Sequence, residues 1–87
     1  MSSLFPTFAR YPITLVKGKG SRLWDDQGKE YLDFMTGIAV TGLGHVPERV
    51  KNALVSQLDQ LWHVSNLFYT PNQEKAAKLL TDNSCAD

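Results

Sequence analysis

The side chains that could do chemistry are few and scattered. His45 and His63 lie eighteen residues apart with no third ligand at metal spacing, so each reads as a hydrogen-bonding histidine near a helix end and not as half of a zinc site. Ser65 lacks the Gly-x-Ser-x-Gly setting of an activated nucleophile. Asp33, Asp59 and Glu74 show no pairing suited to general acid–base work and read as a solvated face. Lys17, Lys19, Lys29, Lys51, Lys75 and Lys78 fall in polar turns or on outer helix faces, away from the apolar surroundings that lower a lysine pKa for Schiff-base chemistry. Gly42-Leu43-Gly44 matches two glycines of a dinucleotide fingerprint. Pro47 replaces the third, and no acidic strand end follows, so a plain loop-to-helix turn accounts for it better.

What remains is apolar wall. Gly37, Ile38, Ala39 and Val40 carry no charge and sit in a stretch with three glycines, Gly37, Gly42 and Gly44. Permissive backbone beside apolar side chains suits a loop that lines a pocket or an interface. A second apolar-aromatic loop, His63 to Tyr69, contains Ser65, Asn66, Leu67 and Phe68.

These loops need a frame, and the pattern predicts an α+β one. Residues 1–12, with Pro6, Pro12, Phe5, Phe8 and Tyr11, read as an extended arm. Residues 13–34 read as a three-stranded antiparallel meander. Its strands are Ile13 to Lys17, Ser21 to Asp25 and Glu30 to Phe34, with turns at Gly18-Lys19-Gly20 and at Asp26-Gln27-Gly28-Lys29. Gly28 is placed to take positive φ. The third strand puts Leu32 and Phe34 on one face and Tyr31 and Asp33 on the other. A glycine loop covers residues 35–46, and two helices with the aromatic loop between them fill 47–82. The first starts with Pro47 at its first position and carries Val50, Ala53, Leu54, Leu58, Leu61 and Trp62 at helical spacing. The second runs from about Pro71 to about Thr81, with Thr70-Pro71-Asn72-Gln73 as a capping box and Ala76, Ala77, Leu79 and Leu80 inward. A sheet this small needs a cover on its apolar face.

At 87 residues the chain is one domain at most, and 43% hydrophobic content is too rich for disorder. Zero formal net charge gives no electrostatic case for nucleic acid or an anionic membrane. No stretch approaches spanning length, and the N-terminus has neither the basic nor the apolar region of a signal peptide. The lone Cys85 cannot form an internal disulfide, which fits a cytoplasmic location.

Several stretches together resemble a known family. They are Leu4-Phe5-Pro6-Thr7, Tyr31-Leu32-Asp33-Phe34, Gly37-Ile38-Ala39-Val40, Leu43-Gly44-His45 and Trp62-His63-Val64-Ser65-Asn66-Leu67-Phe68. They are similar, in order over essentially the whole chain, to the start of the class III pyridoxal-phosphate-dependent aminotransferases. Tyr-Leu-Asp-Phe and Gly-His mark the class, and Gly-Ile-Ala-Val together with Trp-His-Val-Ser-Asn-Leu-Phe points to its acetylornithine branch. Ornithine, succinylornithine and other class III aminotransferases are the sibling readings, and a stand-alone α+β interaction module is the reading from another class.

The resemblance implies the N-terminal part of a fold-type-I subunit in a homodimer that uses pyridoxal 5'-phosphate to move an amino group from N-acetylornithine to 2-oxoglutarate. It implies that Gly37, Ile38, Ala39 and Val40 line the substrate side of the cofactor pocket. Ile38 stands where ornithine-using relatives tend to carry a more polar or aromatic group, which implies an acylated substrate. It places Ser65, Asn66, Leu67 and Phe68 at the dimer interface near the active site. The family's phosphate-binding Ser-Gly turn, pyridine-side aspartate and Schiff-base lysine lie beyond these residues, which implies an inactive 87-residue chain with no cofactor bound by itself. The family usually has a second His and then Pro after Gly-His, where this chain has Val46-Pro47-Glu48.

Overall fold

The computed structural model describes residues 2–85. The element order is β1 (Leu15–Lys19), β2 (Arg22–Asp25), β3 (Glu30–Leu32), a single turn α1 (Thr36–Ala39), α2 (Glu48–Leu58) and α3 (Pro71–Asp82). The chain divides into two units, Met1–Ala53 and Leu54–Asp87.

The first unit is built on an antiparallel sheet in the order β1-β2-β3, the meander expected from the strand and turn residues. Its first turn differs from the expectation. Gly18 and Lys19 belong to β1, which pairs through Lys19↔Arg22, so the reversal is made by Gly20 and Ser21, with Gly20 at φ 59°. Leu15 pairs with Asp25 and Lys17 with Trp24, which leaves Val16 as an extra residue in a bulge. The second turn is as expected, with Gly28 at φ 81°.

Asp25 organises that second turn. One carboxylate oxygen accepts the Gln27 and Lys29 backbone N–H groups at 2.9 and 2.8 Å, and the other accepts the Tyr31 hydroxyl at 2.9 Å. Burial pushes the Asp25 carboxyl up. The Lys29, Tyr31 and Gln27 hydrogen bonds and the Lys29 charge outweigh it and leave the group below its ordinary value. The same contact raises the Tyr31 hydroxyl above its ordinary value, with burial and the charges of Asp25 and Asp26 adding to it.

β3 stops at Leu32, two residues short of the expected Phe34; Asp33 keeps its N–H bond to the Ser21 carbonyl while its side chain serves the loop that follows. In α2, Pro47 sits one position earlier than expected: its carbonyl accepts the Lys51 N–H at 2.9 Å, which makes it the cap and Glu48 the first helical residue.

The end of α2 and the whole of α3 lie in the second unit. The apolar periodicity runs on to Leu61 and Trp62, but α2 ends at Leu58. Side chains take over two of the last carbonyls: Gln60 donates to that of Ser56 at 3.1 Å and the Trp62 indole N–H to that of Leu58 at 2.7 Å. Gln57 donates instead to the Leu61 carbonyl, beyond the helix, at 2.9 Å. α3 has Pro71 at its first position after an extended Thr70, as the sequence implies. The capping box is not made: Thr70 gives no side-chain cap, and its backbone carbonyl receives the Glu74 N–H. Asn83 and Ser84 close the other end on the Leu79 and Leu80 carbonyls.

Among the described residues no hydrophobic side chain is buried. Leu79 and Leu80, expected to face inward, are 65% and 69% exposed, and Ala76 and Ala77 are exposed as well. The Leu32 and Phe34 face of the sheet is likewise uncovered. Amphipathic patterning predicted which faces are apolar, and within each unit those faces stay open.

Candidate functional site

The loop from Asp33 to Pro47 carries the best-built polar geometry in the first unit. Asp33 was expected on a solvated face, and the structure corrects this: its side chain is only 8% exposed. Asp33 Oδ1 accepts the backbone N–H groups of Met35 and Thr36 at 3.0 and 2.9 Å. Its Oδ2 lies 2.7 Å from His45 Nε2. An ionised carboxylate can only accept, so Nε2 carries the hydrogen. The Thr36 N–H bond and the His45 bond lower the Asp33 carboxyl. Burial opposes them, and the Met35 N–H and the His45 ring lower it further, leaving it below its ordinary value.

The backbone ties this loop to the sheet as well. Gly20 and His45 exchange both of their N–H···O bonds, at 3.0 and 2.8 Å. The Asp33 N–H donates to the Ser21 carbonyl at 2.8 Å. Close approach explains two glycines here. A Cβ on Gly44 would meet the Gly20 backbone at 3.1–3.2 Å, and one on Gly18 would meet the His45 ring at 2.7 Å.

Gly37, Ile38 and Ala39 fall in α1 and Val40 caps it. The turn is left-handed, with Thr36, Gly37, Ile38 and Ala39 at φ 52°, 59°, 57° and 73°. This conformation costs about 1–2 kcal/mol for each residue with a side chain. Local bonds hold it: Ile38 N–H to the Met35 carbonyl, Val40 and Thr41 N–H to that of Thr36, and Ala39 N–H to the Thr36 hydroxyl. The outcome is display. Ile38 is 86% and Val40 79% exposed, and Val40 edges an open depression of about 700 Å³ floored by Pro47 and Val50.

The second set lies in the second unit. Ser65 takes φ 76°, and its hydroxyl accepts the Leu67 N–H at 3.2 Å. Leu67, Phe68 and Tyr69 are turned outward. Ser65 and Asn66 border a depression of about 600 Å³ between the end of α2 and the start of α3. Each set is therefore brought together within its own unit.

Sequence reasoning missed Asp25, Tyr31 and the Asp33–His45 contact. The signal for Asp25 was present in Asp-x-x-Gly before a strand, the side chain bonding its own turn. No local signal pairs Asp33 with His45, because the sheet edge at Gly20 brings them together. Among the described residues no group of His, Cys, Asp and Glu could hold a metal ion, and no helix is long and apolar enough to cross a membrane.

A model of the class-III aminotransferase family matches residues 6–87. The chain is 56% identical over 86 residues to an acetylornithine aminotransferase of Oceanobacillus iheyensis, a match covering 99% of this chain and 22% of that protein. Among solved structures, the N-acetylornithine aminotransferase of Stenotrophomonas maltophilia superposes with a TM-score of 0.74 at 44% identity, over 83% of this chain and 20% of that one. An ornithine aminotransferase of Toxoplasma gondii, whose active site holds pyridoxal phosphate at partial occupancy, superposes at 0.92 and 30% identity, over 98% of this chain and 20% of that one. The chain thus spans about a fifth of the length of the relatives it matches.

The described residues do not by themselves fit pyridoxal phosphate. All six lysines are exposed, so none offers an enclosed amine for a covalent anchor. No chemical step is assigned to this chain through that group.

Proposed function

We propose a function from one premise: this chain belongs to the class III aminotransferase family. It forms the N-terminal part of an acetylornithine aminotransferase subunit. The whole enzyme works in the cytoplasm as a homodimer and transfers the amino group of N-acetylornithine to 2-oxoglutarate, giving N-acetylglutamate semialdehyde and glutamate for arginine biosynthesis. Pyridoxal phosphate, when bound, supplies the electron sink for that transfer. This chain's residues supply walls. Gly37 to Val40 line the substrate side, and Ser65 to Phe68 lie at the subunit interface near the active site.

The observation that carries this reading is the display of Ile38 and Val40 from a left-handed turn held by local bonds. An outward apolar side chain on a fixed turn has a use when a cavity closes over it. The uncovered faces of α3 and of the sheet support the same reading, since further chain is needed to bury them.

The test is a chimera in which this chain replaces the matching N-terminal segment of the Oceanobacillus iheyensis enzyme. The chimera should bind pyridoxal phosphate and transaminate N-acetylornithine in preference to ornithine, and the 87-residue chain alone should show no turnover above a buffer blank. A cofactor-loaded chimera that prefers ornithine, or that turns over neither substrate, would overturn the assignment.

A further inference from the structure

Asp33 is shared between two jobs that nothing in its local sequence connects. One carboxylate oxygen takes the N–H groups entering the left-handed turn, at Met35 and Thr36. The other takes the ring of His45, twelve residues on. His45 is itself fixed, because its backbone is doubly bonded to Gly20 and its ring lies against Gly18. Both ends of the loop are therefore tied to the same corner of the sheet, since the Asp33 N–H also reaches the Ser21 carbonyl. Between these ties, three residues with side chains hold positive φ, two of them β-branched, Thr36 and Ile38. Such residues relax toward right-handed or extended backbone unless something over-determines them.

We propose that Asp33 and His45 are positioning residues for substrate selection: together they keep the Thr36–Ala39 turn left-handed, so that Ile38 and the capping Val40 present a fixed apolar wall to the acyl group of the amino donor. The proposal rests on the acetylornithine reading above, and it assigns the pair no contact with substrate. The pair acts through the turn. A fixed wall discriminates between an acylated and a free amine, whereas a mobile one adapts to both.

The experiment uses the chimera carrying Asp33→Ala or Asp33→Asn, with two readouts. Asparagine keeps an acceptor for Met35 and Thr36, and its amide N–H can donate to His45 Nε2 once the ring moves its hydrogen to Nδ1, so D33N is the rescuing variant. In D33A, amide exchange over residues 35–41 should quicken about tenfold, the scale of losing hydrogen bonds to a charged group. KM for N-acetylornithine should rise about tenfold with kcat within about threefold, and the preference for acylated over free ornithine should fall accordingly. D33N should return both readouts to within about threefold of the parent. Unchanged exchange over 35–41 in D33A overturns the proposal. So does faster exchange with unaltered preference, or a rise spread equally over β1 and β2, which would mark a merely structural role. If the parent chimera is inactive, the functional reading fails, and the exchange arm still decides whether the pair holds the turn.

Discussion

The sharpest test of the loop-to-sheet attachment is Gly18→Ala. Gly18 lies in β1 opposite Leu23, where a strand would accept alanine on backbone grounds alone. The obstacle is His45. An added Cβ would lie 2.7 Å from Cγ, 2.8 Å from Cβ and 3.0 Å from Nδ1 of that residue. Ordinary carbon contacts lie near 3.5–4.0 Å, so the ring must retreat by roughly 1 Å. It cannot do so freely. Its Nε2 is held by Asp33 at 2.7 Å, and its backbone by the two bonds to Gly20. Retreat breaks one attachment or bends the strand, and overpacking of this kind costs about 1–3 kcal/mol. Read as local opening, that is about 5- to 150-fold faster exchange at the Gly20 and His45 amides. Exchange followed by mass spectrometry on the chimera, with and without G18A, measures it. The double variant G18A/H45A removes the obstacle, so adding G18A to H45A should cost far less than adding it to the parent. Equal costs in the two backgrounds would show that the His45 ring does not press on Gly18, and the attachment argument would fall.

Two further predictions follow from neighbouring geometry. Gly44→Ala should destabilise the chimera by about 1–3 kcal/mol in urea unfolding, because Gly44 sits at φ 86° with the Gly20 backbone at 3.1–3.2 Å. Gly42→Ala, with open space around it and no left-handed requirement, should stay within about 0.5 kcal/mol, and equal effects would refute the distinction. The second concerns pH. Asp33 and Asp25 are held below the ordinary carboxylate value of 3.8 in the fold, so the unfolded chain binds the extra protons. Their contribution is complete above that value and is lost as pH falls through the lower folded one. D33N should therefore flatten the acid limb of the urea midpoint between about pH 2 and 5. Tyr31 has the opposite sense: its raised value keeps its contribution complete below pH 10 and loses it on further rise, an alkaline loss that Tyr31→Phe should abolish.

The meander, the positive φ of Gly28 and the start of α3 at Pro71 were all legible in the sequence, because each depends on residues within a few positions of one another. The end of α2 was not. Val50, Leu54, Leu58 and Leu61 keep helical spacing, and nothing in that spacing announces that Gln60 and Trp62 will cap the Ser56 and Leu58 carbonyls with their side chains. The inward faces were legible as apolar stripes and illegible as packing, since a stripe does not say whether its partner lies in the same stretch of chain. Asp33 shows the limit most clearly. By local rules an aspartate after a strand, beside Phe34, is a surface residue. It becomes the half-buried hinge of the loop only because Gly20, thirteen residues earlier, pairs with His45, twelve residues later. The glycines were the readable trace of that contact. Gly18 and Gly44 occur where a ring or a backbone must come close, and Gly20, Gly37 and Gly44 where φ is positive. Thr36, Ile38, Ala39, Val46 and Ser65 all break the rule that such positions go to glycine, and Ile38 is the largest of them. A β-branched residue held left-handed and 86% exposed stabilises nothing in its own unit. The turn is held between the Asp33 and His45 ties by its bonds to the Met35 and Thr36 carbonyls, and under the proposed function its strain is useful once a cavity closes over Ile38.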